Sequence, residues 1–126
     1  MIRAVIDTNV LVSGLLSSRG NEALIILAVH QGLVRPCISA AILKEYAEVL
    51  ARPKFAFPSD EIAAVFSMFR ERGEMIDPQG DPPALPDPDD TKFLHCAEAA
   101  GGVSCYRQRA ALPTGSVRRG ARRGRG

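Results

Sequence analysis

The chain opens on Ile2, Ala4, Val5 and Ile6, an apolar and largely β-branched run that predicts a buried strand ending at Asp7. Val10, Leu11 and Val12 return to the core, and Ser13 to Gly20 reads as a small-residue loop. Asn21 caps a predicted helix from about Glu22 to Gln31, with Leu24, Ile25, Leu27, Ala28 and Val29 as its broad apolar face and Gly32 at its end. A second strand is expected over about Leu33 to Ile38. Ser39 then caps a helix in which Ile42, Leu43, Tyr46, Val49 and Leu50 recur at three- and four-residue spacing, the mark of a buried face, and Arg52-Pro53 terminates it. Ser59-Asp60-Glu61 opens another helix, its acids in the first turn where the helix dipole favours them. Ile62, Val65, Phe66 and Phe69 face inward, and Arg70 to Gly73 closes that helix. Glu74 to Ile76 is a short strand candidate. Asp77 to Pro88 holds five prolines and predicts a surface loop. A last helix runs from Asp89-Asp90 to about Ala100, with Phe93, Leu94, Cys96 and Ala97 inward.

Strand, helix, strand, helix, helix, strand, helix is the order of an α/β domain, a parallel sheet covered by helices. Such a fold calls for another strand after Ala100. The chain instead continues as Gly101-Gly102-Val103-Ser104-Cys105-Tyr106 and then as an Arg/Gly/Ala/Pro sequence without period or apolar face. The expectation is therefore an incomplete domain over residues 1–100, its C-terminal strand missing, and a disordered Arg/Gly-rich tail over 101–126.

A length of 126 residues allows one domain with a real core. No apolar run reaches membrane-span length and no signal peptide opens the sequence, so a cytoplasmic protein with no membrane partner is expected. Cys37, Cys96 and Cys105 have neither disulfide-framework nor zinc spacing, and Cys37 and Cys96 read as core. His30 and His95 sit near helix ends and read as surface or capping residues. The net charge of +2 hides an asymmetry: residues 1–100 carry nine Lys and Arg against fourteen Asp and Glu, residues 101–126 seven Arg and no acid. An acidic body with a basic end fits a nuclease with a nucleic-acid arm. It also fits two stretches of different origin.

Three acids stand out by position: Asp7 after the first strand, Glu45 inside the second helix and Asp90 in the first turn of the last. Catalytic groups collect where parallel strands end, which favours Asp7. Mg²⁺ and Mn²⁺ prefer oxygen ligands and retain waters, so two or three carboxylates suit them. A metal so held activates water and stabilises charge on a phosphodiester, the chemistry of a nuclease. Each acid also has a plainer reading. Asp7-Thr8-Asn9 can be a strand-end turn with a helix cap, and Glu45 a solvated residue whose neighbour Glu48 has an equal chemical claim. Asp90 can simply favour a helix N-terminus, with Asp87 as cap and Pro88 at the first position.

Three segments in order carry a resemblance to a known family. They are Val5-Ile6-Asp7-Thr8-Asn9-Val10-Leu11-Val12-Ser13; Ile38-Ser39 with Glu45-Tyr46 and Val49-Leu50-Ala51-Arg52-Pro53-Lys54-Phe55; and Asp87-Pro88-Asp89-Asp90-Thr91-Lys92-Phe93-Leu94. The chain resembles the PIN-domain ribonucleases, specifically the toxins of toxin–antitoxin pairs, from residue 2 to about residue 100. The resemblance implies a three-layer α/β/α fold and an acidic pocket for Mg²⁺ or Mn²⁺ that hydrolyses RNA. It implies Asp7, Glu45 and Asp90 as metal and catalytic ligands, Asn9 as support for the first of them, and Asp89 as a substitute for Asp90. Thr8 joins the supporting set, since it can hydrogen-bond neighbouring backbone or a water. A cognate antitoxin and a homodimer are the implied partners.

The resemblance stops where the family continues with a segment like Tyr-Leu-Val-Thr-Gly-Asn and then Arg-His-Phe-Pro. With one permitted choice of codons, residues 101–113 read one base later spell Ala-Glu-Tyr-Leu-Val-Thr-Gly-Asn-Ala-Arg-His-Phe-Pro. Cys105, Tyr106 and Gln108 have only two codons each, which restricts how freely that match can be arranged. A frameshift near Gly101 accounts together for the charge break and the lost apolar pattern, and it predicts an unstable or weakly active nuclease. The competing reading of the tail is a basic RNA-binding arm. Two other functions stand beside the nuclease. One is a non-catalytic PIN-fold module that binds antitoxin or RNA. The other is a phosphatase of the haloacid-dehalogenase type, which normally has a second Asp where this chain has Asn9.

Overall fold

A computed structural model describes residues 2–81 and 88–106, with the side chains of 88–90 outside the description. The elements are β1 (Ile2–Ile6), α1 (Thr8–Leu16), α2 (Asn21–His30), β2 (Val34–Ile38), α3 (Ala40–Leu50), a 3-10 turn (Pro53–Phe55), α4 (Ser59–Arg72), β3 (Glu74–Met75), α5 (Pro88–Ala99) and β4 (Ser104–Tyr106). The strands form one parallel sheet in the order β3-β2-β1-β4. A parallel sheet buries both faces, which is why β1 and β2 read as near-continuous apolar runs. Register places Arg3, Val5, Cys37 and Glu74 on one face, the one covered by α5, while α2 and α4 pack together and against β2. Helices thus flank the sheet in a three-layer α/β/α arrangement.

Two elements differ from the sequence expectation. Residues 8–16 form a helix absent from the expected element order, and it takes in residues 13–16 of the stretch expected as a loop over Ser13 to Gly20. Val10 and Val12 are β-branched and Gly14 is a poor helix former, yet Val10, Leu11 and Val12 are all buried, so packing decides. Gly14 permits this packing. A β-carbon there would stand 2.6 Å from Ile26 Cγ1 and 2.7 Å from the Glu22 carbonyl oxygen, so α2 packs against α1 where only a glycine leaves room. The second difference is β4. The expected loss of the C-terminal strand does not extend to residues 104–106, where Ala4, Val5 and Ile6 pair with Ser104, Cys105 and Tyr106. Strand pairing is made by backbone groups, which three residues supply whatever their apolar pattern.

The core runs from Ala4, Val5 and Ile6 through Ile42, Tyr46 and Leu50 to Phe69, Phe93, Cys96 and Ala97. Cys37 and Cys96 are fully buried as expected, and burial pushes the Cys96 thiol up to about 12. The face of α2 is the exception: Leu24 and Leu27, expected inside, are exposed, while Ile26 packs against the core in their stead. No described helix is long and apolar enough to cross a membrane by itself, and α1 and α2 are bent by 95° at the break between them.

Candidate active site

β2 and β3 lie on one side of β1 and β4 on the other, so the sheet reverses its direction of growth at β1. Crevices open outside the carboxyl ends of strands at such a point. Asp7 is the first residue beyond β1. Its backbone N–H donates to the Tyr106 carbonyl at 2.8 Å, and its own carbonyl accepts from Val10 and Leu11 to start α1. It therefore occupies the N-cap position, but its side chain makes no capping hydrogen bond. Asp7, 8% exposed, lines a cleft of about 480 Å³ instead.

The opposite wall is α3. Ile42, Tyr46 and Leu50 form its buried stripe, Glu45 and Glu48, three residues apart, line the cleft, and Arg52 joins them from just beyond the helix end. Consecutive residues thus do two tasks. The Tyr46 hydroxyl donates to the Ile6 carbonyl at 2.5 Å, fixing α3 to the last residue of β1, and its ring meets Phe69 edge-on with centroids 5.6 Å apart. Burial first, and the Asp7 carboxylate next, hold that hydroxyl well above the usual tyrosine range, so it stays a donor. Glu45 faces the cleft. The Thr8 hydroxyl donates to its Oε2, and the Lys92 ammonium, on α5, donates to its Oε1 at 2.6 Å.

The structure thus brings Asp7, Thr8, Asn9 and Glu45 into one cleft, along with Glu48. Between the two glutamates, both line the cleft, but Glu45 is the one held by two partners. Asp90 and Asp89 fall in the first turn of α5, which Pro88 opens as expected. Their side chains lie outside the described residues, as does Asp87. Sequence reasoning gave no role to Lys92, Arg52, Lys54 or Phe55, which also line the cleft.

Asp7 and Glu45 offer hard oxygen donors, and Thr8 and Asn9 add polar groups beside them. Among the described residues no three His, Cys, Asp or Glu side chains gather closely enough to hold a metal ion. Two carboxylates nevertheless suit Mg²⁺, which binds through one or two and keeps several waters. The donor set fits such an ion, with Lys92 the cation that balances Glu45 here.

A family model for the PIN domain matches residues 3–105. The chain belongs to the PIN-domain family. No curated protein and no solved structure gives a significant match. The span of this PIN domain covers all four strands except the outermost residue at each end, Ile2 and Tyr106, and it passes Gly101 into β4. PIN domains are in general nucleases that depend on divalent metal and act on nucleic acid. The phosphatase alternative falls with this assignment.

Proposed function

We propose that this PIN domain is a metal-dependent endoribonuclease, the toxin of a toxin–antitoxin pair, hydrolysing RNA phosphodiester bonds in the cleft at the end of β1. The observation that carries the reading is the convergence of Asp7 and Glu45 from two elements on one cleft at the sheet's switch point. Asp7, Glu45 and Asp90 would hold Mg²⁺ or Mn²⁺. When bound, the ion supplies positive charge that lowers the pKa of water and offsets charge on the phosphodiester. The chain's own residues supply position. Tyr46 fixes the end of β1, the Thr8 hydroxyl orients Glu45, and the Lys92 ammonium holds that carboxylate in the cleft. Asn9, exposed at the start of α1, supports Asp7 at the cleft's edge.

A protein partner is supported by a second surface. An apolar groove of about 690 Å³ between α1, α2 and α4 is lined by Leu15, Leu24, Ile26, Leu27, Val65 and Met68, the kind of lining that accepts an amphipathic segment of an antitoxin or a second copy. A frame break near Gly101 is part of the same proposal, supported by the change to an Arg-rich composition. Because β4 forms at 104–106, the edge of β1 stays covered despite the change of composition. The non-catalytic module draws support from one feature, the Lys92–Glu45 ion pair, which satisfies a carboxylate without metal.

The deciding experiment is cleavage of RNA with and without Mn²⁺ by this chain and by a version with the frame restored after Gly101, each with an Asp7→Asn control. Metal-dependent cleavage lost in Asp7→Asn is the expected result, with the restored protein more active. Absence of cleavage by both versions, together with no metal binding by titration calorimetry, leaves the binding module. Sister genes that keep the present frame through the tail would remove the frameshift.

A further inference from the structure

The segment Arg52-Pro53-Lys54-Phe55 belongs to the residues that carried the family resemblance, and nothing in the chemistry above uses it. It forms a 3-10 turn directly after α3, closed by hydrogen bonds from the Phe55 and Ala56 N–H groups to the Arg52 and Pro53 carbonyls, both 3.1 Å. Ala56 caps it in the left-handed region, φ 54°, a conformation that L residues adopt at a cost. That reversal sets Phe57 against Phe55, ring centroids 5.8 Å apart and planes 26° from parallel. Arg52, Lys54 and Phe55 all line the cleft that holds Asp7 and Glu45. Arg52 and Lys54 are exposed and form no ion pair among the described residues, although Glu48 lines the same cleft. The Lys54 ammonium lies 5.1 Å from the centre of the half-buried Phe55 ring.

An acidic floor repels the phosphates it must cut, so a substrate needs cations and stacking surfaces at the rim. Flexible single strands are held by basic side chains along the backbone and by aromatic rings on which bases stack. A ring backed by a second ring is pre-organised for this, and an exposed lysine over it can leave for a phosphate at little cost. We propose that the 52–57 turn is a docking rim for single-stranded RNA. Arg52 and Lys54 hold phosphates beside the scissile one, and Phe55, buttressed by Phe57, stacks a neighbouring base. This rests on the nuclease reading and names how its substrate is held.

The test is binding of a fluorescein-labelled 2′-O-methyl RNA 12-mer of mixed sequence, which resists cleavage, to the full chain in EDTA. Fluorescence anisotropy is read across a salt series, in parallel with an abasic oligomer of the same length. Phe55→Ala is expected to weaken binding of the base-bearing RNA by roughly 5- to 150-fold and to leave the abasic oligomer unaffected, while Phe55→Trp keeps affinity. Arg52→Ala with Lys54→Ala is expected to weaken both oligomers and to reduce the salt slope by about 1.4. Circular dichroism melts matching the parent show that each variant folds. Folded variants that bind both oligomers like the parent overturn the rim, as does a parent chain that binds neither. A parent that binds through these residues while neither it nor the frame-restored version cuts RNA with Mn²⁺ upholds the rim and sinks the nuclease; a chain that cuts while indifferent to them sinks the rim alone.

Discussion

Lys92 decides the electrostatics of the cleft. It and Glu45 are each about a quarter exposed, so their 2.6 Å contact is screened less than a surface pair. Removing the cation leaves a largely buried carboxylate in the cleft that Asp7 also lines. Lys92→Met is expected to cost about 1.5–3 kcal/mol in EDTA, the range of a hydrogen bond to a charged group, measured by urea unfolding. Added Mn²⁺ is expected to recover most of that loss by replacing the missing charge. A variant as stable as the parent in EDTA would show that Lys92 contributes nothing to holding Glu45. Lys92 stands in the Asp87 to Leu94 segment of the family resemblance, but nothing in the order of residues pairs it with Glu45.

Among the elements, α1 and α2 show propensity losing to packing. Alanine forms helix better than glycine by about 1 kcal/mol, so Gly14→Ala would stabilise α1 in isolation. In the fold the new methyl would stand 2.7 Å from a backbone oxygen of α2, which cannot rotate away. The clash wins, and Gly14→Ala is expected to destabilise the chain by about 1–3 kcal/mol, read as a lowered melting temperature. The same logic explains why the helix over 8–16 was not legible. Its β-branched residues and glycine signal strand or loop, and only burial between neighbouring elements selects helix. By contrast α3 and α4 were legible because their apolar residues recur at helical spacing, and because Ser39 caps α3 by accepting from the Ile42 N–H at 3.2 Å.

At the scale of the whole molecule, one residue ties the sheet to its helical cover. Arg3 on β1 donates through Nε and one terminal nitrogen to both oxygens of Glu74 on β3, each at 2.9 Å, and through the other to the Ala100 carbonyl at the end of α5. The guanidinium holds the Glu74 carboxyl below the usual carboxylate range. Because the folded value lies below the unfolded one, the contribution is present above about pH 4.5 and is lost as pH falls through the folded value. Arg3→Met is therefore expected to lower stability at neutral pH and to flatten the acid limb of a stability–pH curve measured by urea unfolding. An acid limb as steep as the parent's would refute it.

The fold class, the strand that delivers Asp7, the buried face of α3 and the family could all be read from the amino-acid order, because they depend on local periodicity and on residue sequence along one element. Three matters waited for the folded chain. Which glutamate of α3 is held, which cations stand beside the acids, and whether residues 104–106 join the sheet all depend on groups far apart in sequence. Thr8 and Glu45 are 37 residues apart, Glu45 and Lys92 47. Only the strand order, which puts β4 beside β1 and opens a crevice at the end of β1, brings them to one place.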